Sequence, residues 1–179
     1  MAVAAPLGCQ QFTAAKSHPD AIDILSLAFR GVTARFRLRG VHGAALQRLY
    51  DHYLPDQPRP IEAEGAGDDD LDEFDDLVAL LLEHRGDDSE ETEWLACAIV
   101  TACFGDNHLW QDMGLPSRAV LSELLSDYFP ALADKNHANM KWKKFFYKQL
   151  CERMHVNACK APSCSVCSDY AQCFGPEED

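Results

Sequence analysis

Four cysteines lie close together near the end of this chain. Cys159, Cys164, Cys167 and Cys173 follow the spacing C-x4-C-x2-C-x5-C in "CKAPSCSVCSDYAQC". Each thiolate is a ligand for a soft or borderline metal, and four from one short stretch can surround a single centre. The stretch has too few apolar residues to bury four free thiols, and exposed thiols oxidise. The segment is therefore predicted to bind a metal.

The spacing favours an iron-sulfur cluster over a single zinc ion. Zinc sites usually combine two short cysteine pairs across a longer spacer, and this segment has one such pair, Cys164 and Cys167. A cluster is broader than one ion, and the first three cysteines match the C-x4-C-x2-C run of plant-type ferredoxins, although the fourth ferredoxin ligand lies much farther along the chain. Two alternatives stay open, a zinc-stabilised interaction or regulatory module and a ferredoxin-like electron carrier.

The remaining cysteines and one histidine need separate interpretations. Cys97 and Cys103 lie in an apolar stretch, where cysteine commonly packs as a small hydrophobe. Cys151 is better explained by packing at the edge of the core than as a substitute ligand. Cys9 carries no signal. His155 ends the helix that leads into the cysteine segment and could approach a metal there.

Length and composition indicate one folded domain. The chain has 179 residues, 47% of them hydrophobic, and eight cysteines. No apolar run approaches the ~20 residues of a membrane helix, and the start "MAVAAPLGCQQF" lacks the features of a signal peptide. A cytoplasmic location is therefore expected, where thiols stay reduced and serve metal or redox chemistry rather than disulfides.

The negative charge is concentrated in one part of the chain. The net charge is −13, and residues 62–93 carry fifteen acidic side chains and one Arg. Nucleic acid is disfavoured as a partner because phosphate binding needs a concentrated basic surface. The acids precede apolar helical stripes, so solvated helix starts explain them better than a docking face for a basic partner does. Hydrolase, nucleotide-phosphate and dinucleotide motifs are missing from the sequence.

Apolar residues recur every three to four positions, which predicts an all-α protein. The predicted organisation is an N-terminal helical part over 1–61, an acidic loop over 62–70, a helical body over 71–155 and an irregular cysteine-rich tail over 156–179. Pro116 is predicted to open a helix that Pro130 ends, and Gly105 to stop the preceding one. The four sulfurs are expected to point to a common pocket near the end of the helix that contains Trp142. The predicted core comprises Leu77, Leu81, Trp94, Ile99, Leu121, Leu125, Trp142, Phe146 and Leu150.

Three lysines are predicted on the polar side of the last body helix. At ~100° per residue, Lys141, Lys144 and Lys148 lie opposite its apolar stripe. They could attract an anion or an acidic partner surface, and a solvated helix face is the simpler interpretation of Lys141.

Two long stretches resemble one known family. "NHLWQDMGLPSRAVLSELLSDYFPALADKNHANMKWKKFFYKQLCE" followed by "CKAPSCSVCSDYAQCFGPE" is similar to NifQ, the nitrogen-fixation family that supplies molybdenum for the nitrogenase iron-molybdenum cofactor. The resemblance runs from about Leu71 to Glu177 and includes "FDDLVALLLEHR" and "EWLACAIVTACFGDNHLWQD". The first sixty residues show no comparably specific resemblance to a family.

The resemblance implies a carrier rather than an enzyme. It implies that Cys159, Cys164, Cys167 and Cys173 hold an iron-sulfur cluster containing molybdenum, of Mo-Fe3-S4 type. Such a cluster is anionic, and Lys160 and Arg153 are candidates to lower the cost of its charge. The implied partners are the nitrogenase cofactor assembly scaffold (NifEN), the nitrogenase iron protein (NifH), and molybdate or a molybdenum storage source, with no nucleic acid and no membrane.

Overall fold

The predicted helical secondary structure is confirmed. The computed structural model describes residues 24–60, 71–155 and 164–177, and every regular element in these ranges is helical. None of these helices is both long and apolar enough to cross a membrane. The α-helices are α1 (Ile24–Thr33), α2 (Gly43–Tyr53), α3 (Leu71–Glu83), α4 (Glu90–Cys103), α5 (Leu109–Asp112), α6 (Arg118–Tyr128), α7 (Pro130–Ala133), α8 (Trp142–Arg153) and α9 (Tyr170–Phe174), with 3-10 turns at Asp134–Asn136 and Cys164–Val166.

Helix α4 is the centre of the bundle. Every residue from Trp94 to Cys103 is buried, and α1, α3 and α5 pack around the helix. A helix that is apolar on all sides needs such complete cover. The hydroxyl of Thr101 meets its hydrogen-bonding needs inside the bundle, because it donates to Cys97 O at 2.7 Å and accepts from Arg39 N at 3.2 Å.

Acidic side chains surround the start of α4. Ser89 is the N-cap, and its hydroxyl accepts from Thr92 N at 3.2 Å. Asp87 accepts from the Ser89 hydroxyl, from the backbone N–H of Ser89 and from the Thr92 hydroxyl, and these hydrogen bonds, the Ser89 hydroxyl above all, hold the pKa of Asp87 below its usual value. Three further acids lie in the first turn, at the positive end of the helix dipole. This part of the acidic run fits the predicted helix start.

The nine predicted core residues are all buried, and none exceeds 8% exposure. One hydrophobic cluster contains them together with Leu25 and Phe29 of α1 and Leu49 and Tyr53 of α2. The N-terminal helices therefore share the core of the helical body. The predicted acidic loop over 62–70 and residues 1–23 lie outside the described residues.

Of the two helix boundaries predicted from prolines, the start of α6 differs from the prediction and its end agrees with it. Helix α6 begins at Arg118, where Ser117 is the N-cap and its hydroxyl accepts from Val120 N at 3.3 Å. The prediction that Pro116 opens the helix is wrong, because a serine that can satisfy a free N–H follows it. Helix α6 ends at Tyr128, as Pro130 predicted, and Pro130 then begins α7, where its missing N–H costs little.

Candidate metal centre

Three of the four predicted cysteine ligands lie in the described cysteine segment, residues 164–177. Cys164 begins a 3-10 turn, and Cys167 N–H donates to Cys164 O at 3.3 Å. Cys173 lies in α9. All three are half-buried, free thiols. Cys159 lies outside the described residues.

The cysteine segment is packed on the helical body. Lys141 N–H donates to Cys173 O at 2.8 Å and so joins α9 to the residue before α8. Cys164, Cys173 and Phe174 contact the hydrophobic core. The segment contains a 3-10 turn and a short helix, so the prediction of an irregular tail outside the core does not hold for residues 164–174.

An ion pair fixes the end of the cysteine segment. The Glu177 carboxylate is 4% exposed and accepts from Arg118 Nη1 at 2.6 Å. Arg118 Nη2 also donates to the carbonyl oxygens of Asn139 at 3.2 Å and Met140 at 2.8 Å. Charge-assisted hydrogen bonds of this kind are stronger than neutral ones. Arg118 therefore ties α6, the turn before α8 and the cysteine segment together.

The turn before α8 has its own polar support. The Asn136 carboxamide donates to Met140 O at 2.9 Å and accepts from Met140 N at 2.8 Å. Asn139 has a φ of 56°, a left-handed conformation that asparagine tolerates better than most residues. Trp142 Nε1 donates to Ser122 Oγ at 3.1 Å. These contacts fix the start of α8 against α6.

A second ion pair, buried beside the cysteine segment, was missed by the sequence prediction. The Asp112 side chain is 1% exposed, and its Oδ2 accepts from Lys143 Nζ at 2.6 Å. Asn107 donates to both carboxylate oxygens, from its backbone N–H at 3.1 Å and its side-chain amide at 2.9 Å. Lys143 Nζ also donates to Gly105 O at 2.7 Å. The pair joins α5, the loop after α4 and α8.

A helical-wheel signal exists in the sequence for the lysine of this pair, although not for its partner. At ~100° per residue, Lys143 falls beside Phe146 and Leu150 on the buried side of α8. The prediction considered only the lysines on the polar side. Of those, Lys144 is exposed, Lys148 pairs with Glu152 at 3.6 Å, and Lys141 precedes the helix.

Gly105 makes room for the buried pair. Helix α4 ends at Cys103, as the glycine predicted, with Phe104 as the C-cap. A Cβ at Gly105 would collide with Asp112 Oδ2. The glycine therefore ends the helix and also lets the loop approach the carboxylate.

The cysteines of α4 are confirmed as core residues. Burial raises the pKa of Cys97 to about 11 and that of Cys103 to about 12. Both thiols are therefore protonated at neutral pH, whereas a metal ligand must be a thiolate. Cys151, on α8, is half-buried.

The described cysteines do not form a preassembled metal site. Across residues 24–60, 71–155 and 164–177, no group of three or more His, Cys, Asp or Glu side chains could hold a metal ion. The expected convergence of the sulfurs is therefore not found among Cys164, Cys167 and Cys173. Cys151 and the exposed His155 join no such group either. The three cysteines are nevertheless free and partly exposed to solvent, so their thiolates suit the binding of a metal cargo.

A pocket of about 240 Å³ adjoins the cysteine segment. Residues 105–109 of the loop after α4 form one wall, and residues 141–144 at the start of α8 form another. Gln172 and Glu177 of the cysteine segment close the third side. The Arg118–Glu177 and Asp112–Lys143 ion pairs therefore fix parts of the pocket lining.

Comparison with known families identifies the family of this chain. The NifQ family model matches residues 21–175 of this chain. The chain belongs to the NifQ family. This family is involved in nitrogen fixation and in the biosynthesis of the iron-molybdenum cofactor.

Relatives that carry the NifQ name match parts of the chain. "Protein NifQ" of Azotobacter vinelandii is 51% identical over 107 residues, which cover 59% of this chain and 54% of the relative. "Protein NifQ" of Rhodobacter capsulatus is 38% identical over 153 residues, which cover 82% and 79%. "Protein NifQ" of Klebsiella pneumoniae is 47% identical over 81 residues, which cover 45% and 48%. The chain thus spans about half the length of the Azotobacter and Klebsiella relatives. No solved structure matches the chain.

The NifQ match is wider than the resemblance seen in the sequence. That resemblance began at about Leu71, whereas the family match begins at residue 21 and includes α1 and α2. The shared core explains the difference, since α1 packs directly on α4. The match also contains all four cysteines of the predicted metal site.

Proposed function

We propose that this chain is a carrier of a molybdenum-iron-sulfur cluster that donates molybdenum for biosynthesis of the nitrogenase iron-molybdenum cofactor, and that it is not an enzyme. The observation that carries the proposal is the cysteine segment. The four predicted ligands, three in this segment and Cys159 before it, lie within the region matched by the NifQ family, and the three described ones offer free, half-buried thiols next to a helical body. Thiols of this kind can bind cargo and still be reached by another protein.

The cargo is a cluster of Mo-Fe3-S4 type, bound through Cys159, Cys164, Cys167 and Cys173. Three irons need one external thiolate each, which leaves the fourth thiolate for the molybdenum corner or for closing the site. Sulfur is a soft ligand, so molybdenum held in a sulfide cluster is closer to its state in the cofactor than molybdate, a hard oxyanion, is. The role of the chain is to hold that species at an accessible surface.

Positive charge near the segment would stabilise the anionic cargo. Of the two cations expected from the sequence, Arg153 pairs with Glu83 at 3.3 Å, and Lys160 lies outside the described residues. Arg153 is therefore already paired, and Lys160 remains the candidate that the sequence offers for this electrostatic role.

The proposed route is transfer from protein to protein in the cytoplasm. Molybdenum comes from molybdate or a storage source, and the cluster passes to the cofactor assembly scaffold (NifEN) with the nitrogenase iron protein (NifH) as a participant. A carrier of this kind must release its cargo, and the half-buried state of the described thiols supports such release.

Elemental analysis of anaerobically purified protein tests the proposal. We expect molybdenum and iron in the full chain, and loss of most of both after Cys164→Ala, Cys167→Ala, Cys173→Ala or Cys159→Ala. The helical content, measured by far-UV circular dichroism, should stay nearly unchanged because the core does not depend on these side chains. Cys97→Ala is the matched control, since Cys97 is buried in α4 and should leave the metal content intact.

The same measurement separates the alternatives. Stoichiometric zinc without iron would support the interaction or regulatory module, and iron that is reversibly reduced without molybdenum would support the electron carrier. Full metal content in the four variants, or its loss only in Cys97→Ala, would refute the site assignment.

A cellular test addresses the molybdenum route. In a nitrogen-fixing cell, Cys167→Ala should raise the molybdate concentration needed for nitrogenase activity, because delivery is lost while the rest of the assembly machinery survives. Nitrogenase activity measured against added molybdate gives the shift. An unchanged requirement at equal protein levels would contradict the donor role.

A further inference from the structure

The pocket beside the cysteine segment is basic, although the chain as a whole has a net charge of −13. Two of its walls come from residues 105–109 and residues 141–144. The charged side chains of the lining are three lysines and two carboxylates, namely Lys141, Lys143, Lys144, Asp106 and Glu177. Which of these charges remain unpaired decides what the pocket can bind.

One carboxylate and one lysine of the lining are already neutralised. Glu177 is bound by Arg118 at 2.6 Å, and Lys143 is bound by Asp112 at 2.6 Å. Both acidic side chains are almost fully buried in these pairs. They therefore fix the walls and contribute little net charge to the space between them.

The other two lysines supply the unpaired positive charge. The ammonium groups of Lys141 and Lys144 make no hydrogen bond or ion pair with any residue that the structure describes. The exposed Asp106 is the remaining carboxylate of the lining. Two cations against one carboxylate leave an excess of positive charge, which an anion from solution would satisfy. The start of α8 adds to this potential, because a helix dipole is positive at its amino end.

The size and the neutral side chains of the pocket define the class of anion. At about 240 Å³, it lies below the range of roughly 300–1,000 Å³ typical of drug-sized ligands. Water occupies about 30 Å³ per molecule, so the space holds a small oxyanion with some of its hydration. The Gln172 carboxamide and the His108 ring also line it and can donate hydrogen bonds to oxygen.

We propose that this pocket binds a tetrahedral oxyanion between Lys141 and Lys144, next to the cysteine segment. The hydrogen bond from Lys141 N–H to Cys173 O joins the anion site to a predicted cluster ligand. The class includes molybdate, sulfate and phosphate. Molybdate as the physiological occupant rests on the proposed function, because it would bring molybdenum to the thiols that take it up. The proposal that the pocket binds an oxyanion is independent of the proposed function.

Equilibrium binding of sodium molybdate to the metal-free full chain tests the proposal, by isothermal titration calorimetry at low ionic strength. We expect saturable binding that weakens at least about tenfold in the double variant Lys141→Gln/Lys144→Gln, since two charge-assisted contacts are removed. Lys148→Gln is the matched control, because Lys148 is on the same helix, pairs with Glu152 and does not line the pocket. Its affinity should stay within about twofold of the unchanged chain, as for a surface charge outside the site.

Two further arms identify the anion and exclude the thiols. Competition by sodium sulfate or sodium phosphate indicates a general tetrahedral oxyanion site, and lack of competition assigns the site to molybdate; both support the proposal. Binding should survive Cys164→Ser/Cys167→Ser/Cys173→Ser, which removes the described thiols of the segment. No saturable binding by the full chain, equal affinity in the double lysine variant, or loss of binding in the serine variant would overturn the pocket assignment.

The iron content separates this proposal from the proposed function. Iron bound after anaerobic reconstitution reports on the cysteines and should be unchanged in the double lysine variant. Failure of the full chain to bind iron would refute the carrier function and leave oxyanion binding standing, whereas normal iron binding without oxyanion binding would refute only the pocket.

Discussion

Helix α4 and the cysteine segment hold their thiols in opposite environments. Cys97 and Cys103 lie inside a helix that three others surround, and burial raises the pKa of both. Cys164, Cys167 and Cys173 are half-buried on a segment attached to the outside of the same body. One residue type therefore serves as core filling in one region and as a candidate ligand in the other.

The two regions are also held by different forces. Close apolar packing surrounds α4, whereas the cysteine segment depends on a few contacts, chiefly the Lys141–Cys173 hydrogen bond and the Arg118–Glu177 ion pair. Burial of apolar area is non-directional and summed over many atoms, while individual polar contacts contribute about 0.5–3 kcal/mol each. The body should therefore tolerate changes in the segment, and the segment should respond to single polar substitutions.

The largest expected effect is in the body. Phe146→Ala should lower the free energy of unfolding by about 3–5 kcal/mol, because the ring is fully buried and its removal leaves a cavity. Chemical denaturation followed by circular dichroism measures the loss. Tyr170→Ala, which removes a half-exposed ring from the cysteine segment, should cost less than about 1 kcal/mol. Equal losses for the two variants would break the contrast between the regions.

Loss of the buried ion pair should rank next. Asp112→Asn keeps the shape of the side chain and leaves the Lys143 ammonium without its charge partner. We expect a loss of about 3 kcal/mol in the free energy of unfolding, at the lower end of the range for breaking buried pairs because Lys143 keeps some access to solvent. Glu152→Gln, in the exposed pair with Lys148, should cost at most about 1 kcal/mol. If Asp112→Asn lowered the free energy of unfolding no more than Glu152→Gln does, the Asp112–Lys143 pair would not be what holds the loop after α4.

Thiol reactivity tests the comparison directly. At pH 8, a thiol with a pKa of about 11 has roughly a hundredfold less thiolate than one at the usual 9.0. Alkylation of the metal-free folded chain, mapped by mass spectrometry, should therefore label Cys97 far more slowly than the half-buried Cys164, Cys167 and Cys173, because Cys97 is both buried and short of thiolate. The difference should vanish in denaturant. Rapid labelling of Cys97 in the folded chain would contradict its placement in the core.

The smallest effect is expected at the end of the cysteine segment. Glu177→Gln removes the charge that pairs with Arg118, which keeps its contacts to Asn139 and Met140. Amide hydrogen exchange in α9 should become about tenfold faster, because local opening loses roughly 1.4 kcal/mol of protection. Global stability should hardly change. Asp106→Asn is the control, since Asp106 is exposed and outside the pair, and comparable exchange in both variants would show that the pair does not anchor α9.

Periodic features of the sequence predicted the body well. The apolar spacing of α3, α4, α6 and α8 identified the helices and nine buried residues, because burial of one helix face leaves a repeat of three to four residues. Local cues for helix ends were less decisive, as the cap at Ser117 in place of Pro116 shows.

Contacts between distant polar residues could not be predicted in the same way. Lys143 and Asp112 are 31 residues apart, and Arg118 and Glu177 are 59 apart, so neither pair leaves a periodic pattern. Their partners are set by how the helices pack, and that information is spread over the whole core. The cysteine spacing predicted candidate ligands because a motif records separations along the chain. A motif records nothing about contacts with distant residues, so the spacing did not predict that the cysteine segment packs on the helical body.

The hydrogen bond between Lys141 and Cys173 constrains the path of the chain. Helix α8 has 12 residues and is therefore about 18 Å long, and the chain that leaves its far end returns to its start, where Cys173 O accepts from Lys141 N–H. The hydrogen bond thus closes the chain from Lys141 to Cys173 into a loop, and Cys164 and Cys167 lie within it. Ordering a loop that is held at both ends around bound cargo costs less chain entropy than ordering a segment held at one end only.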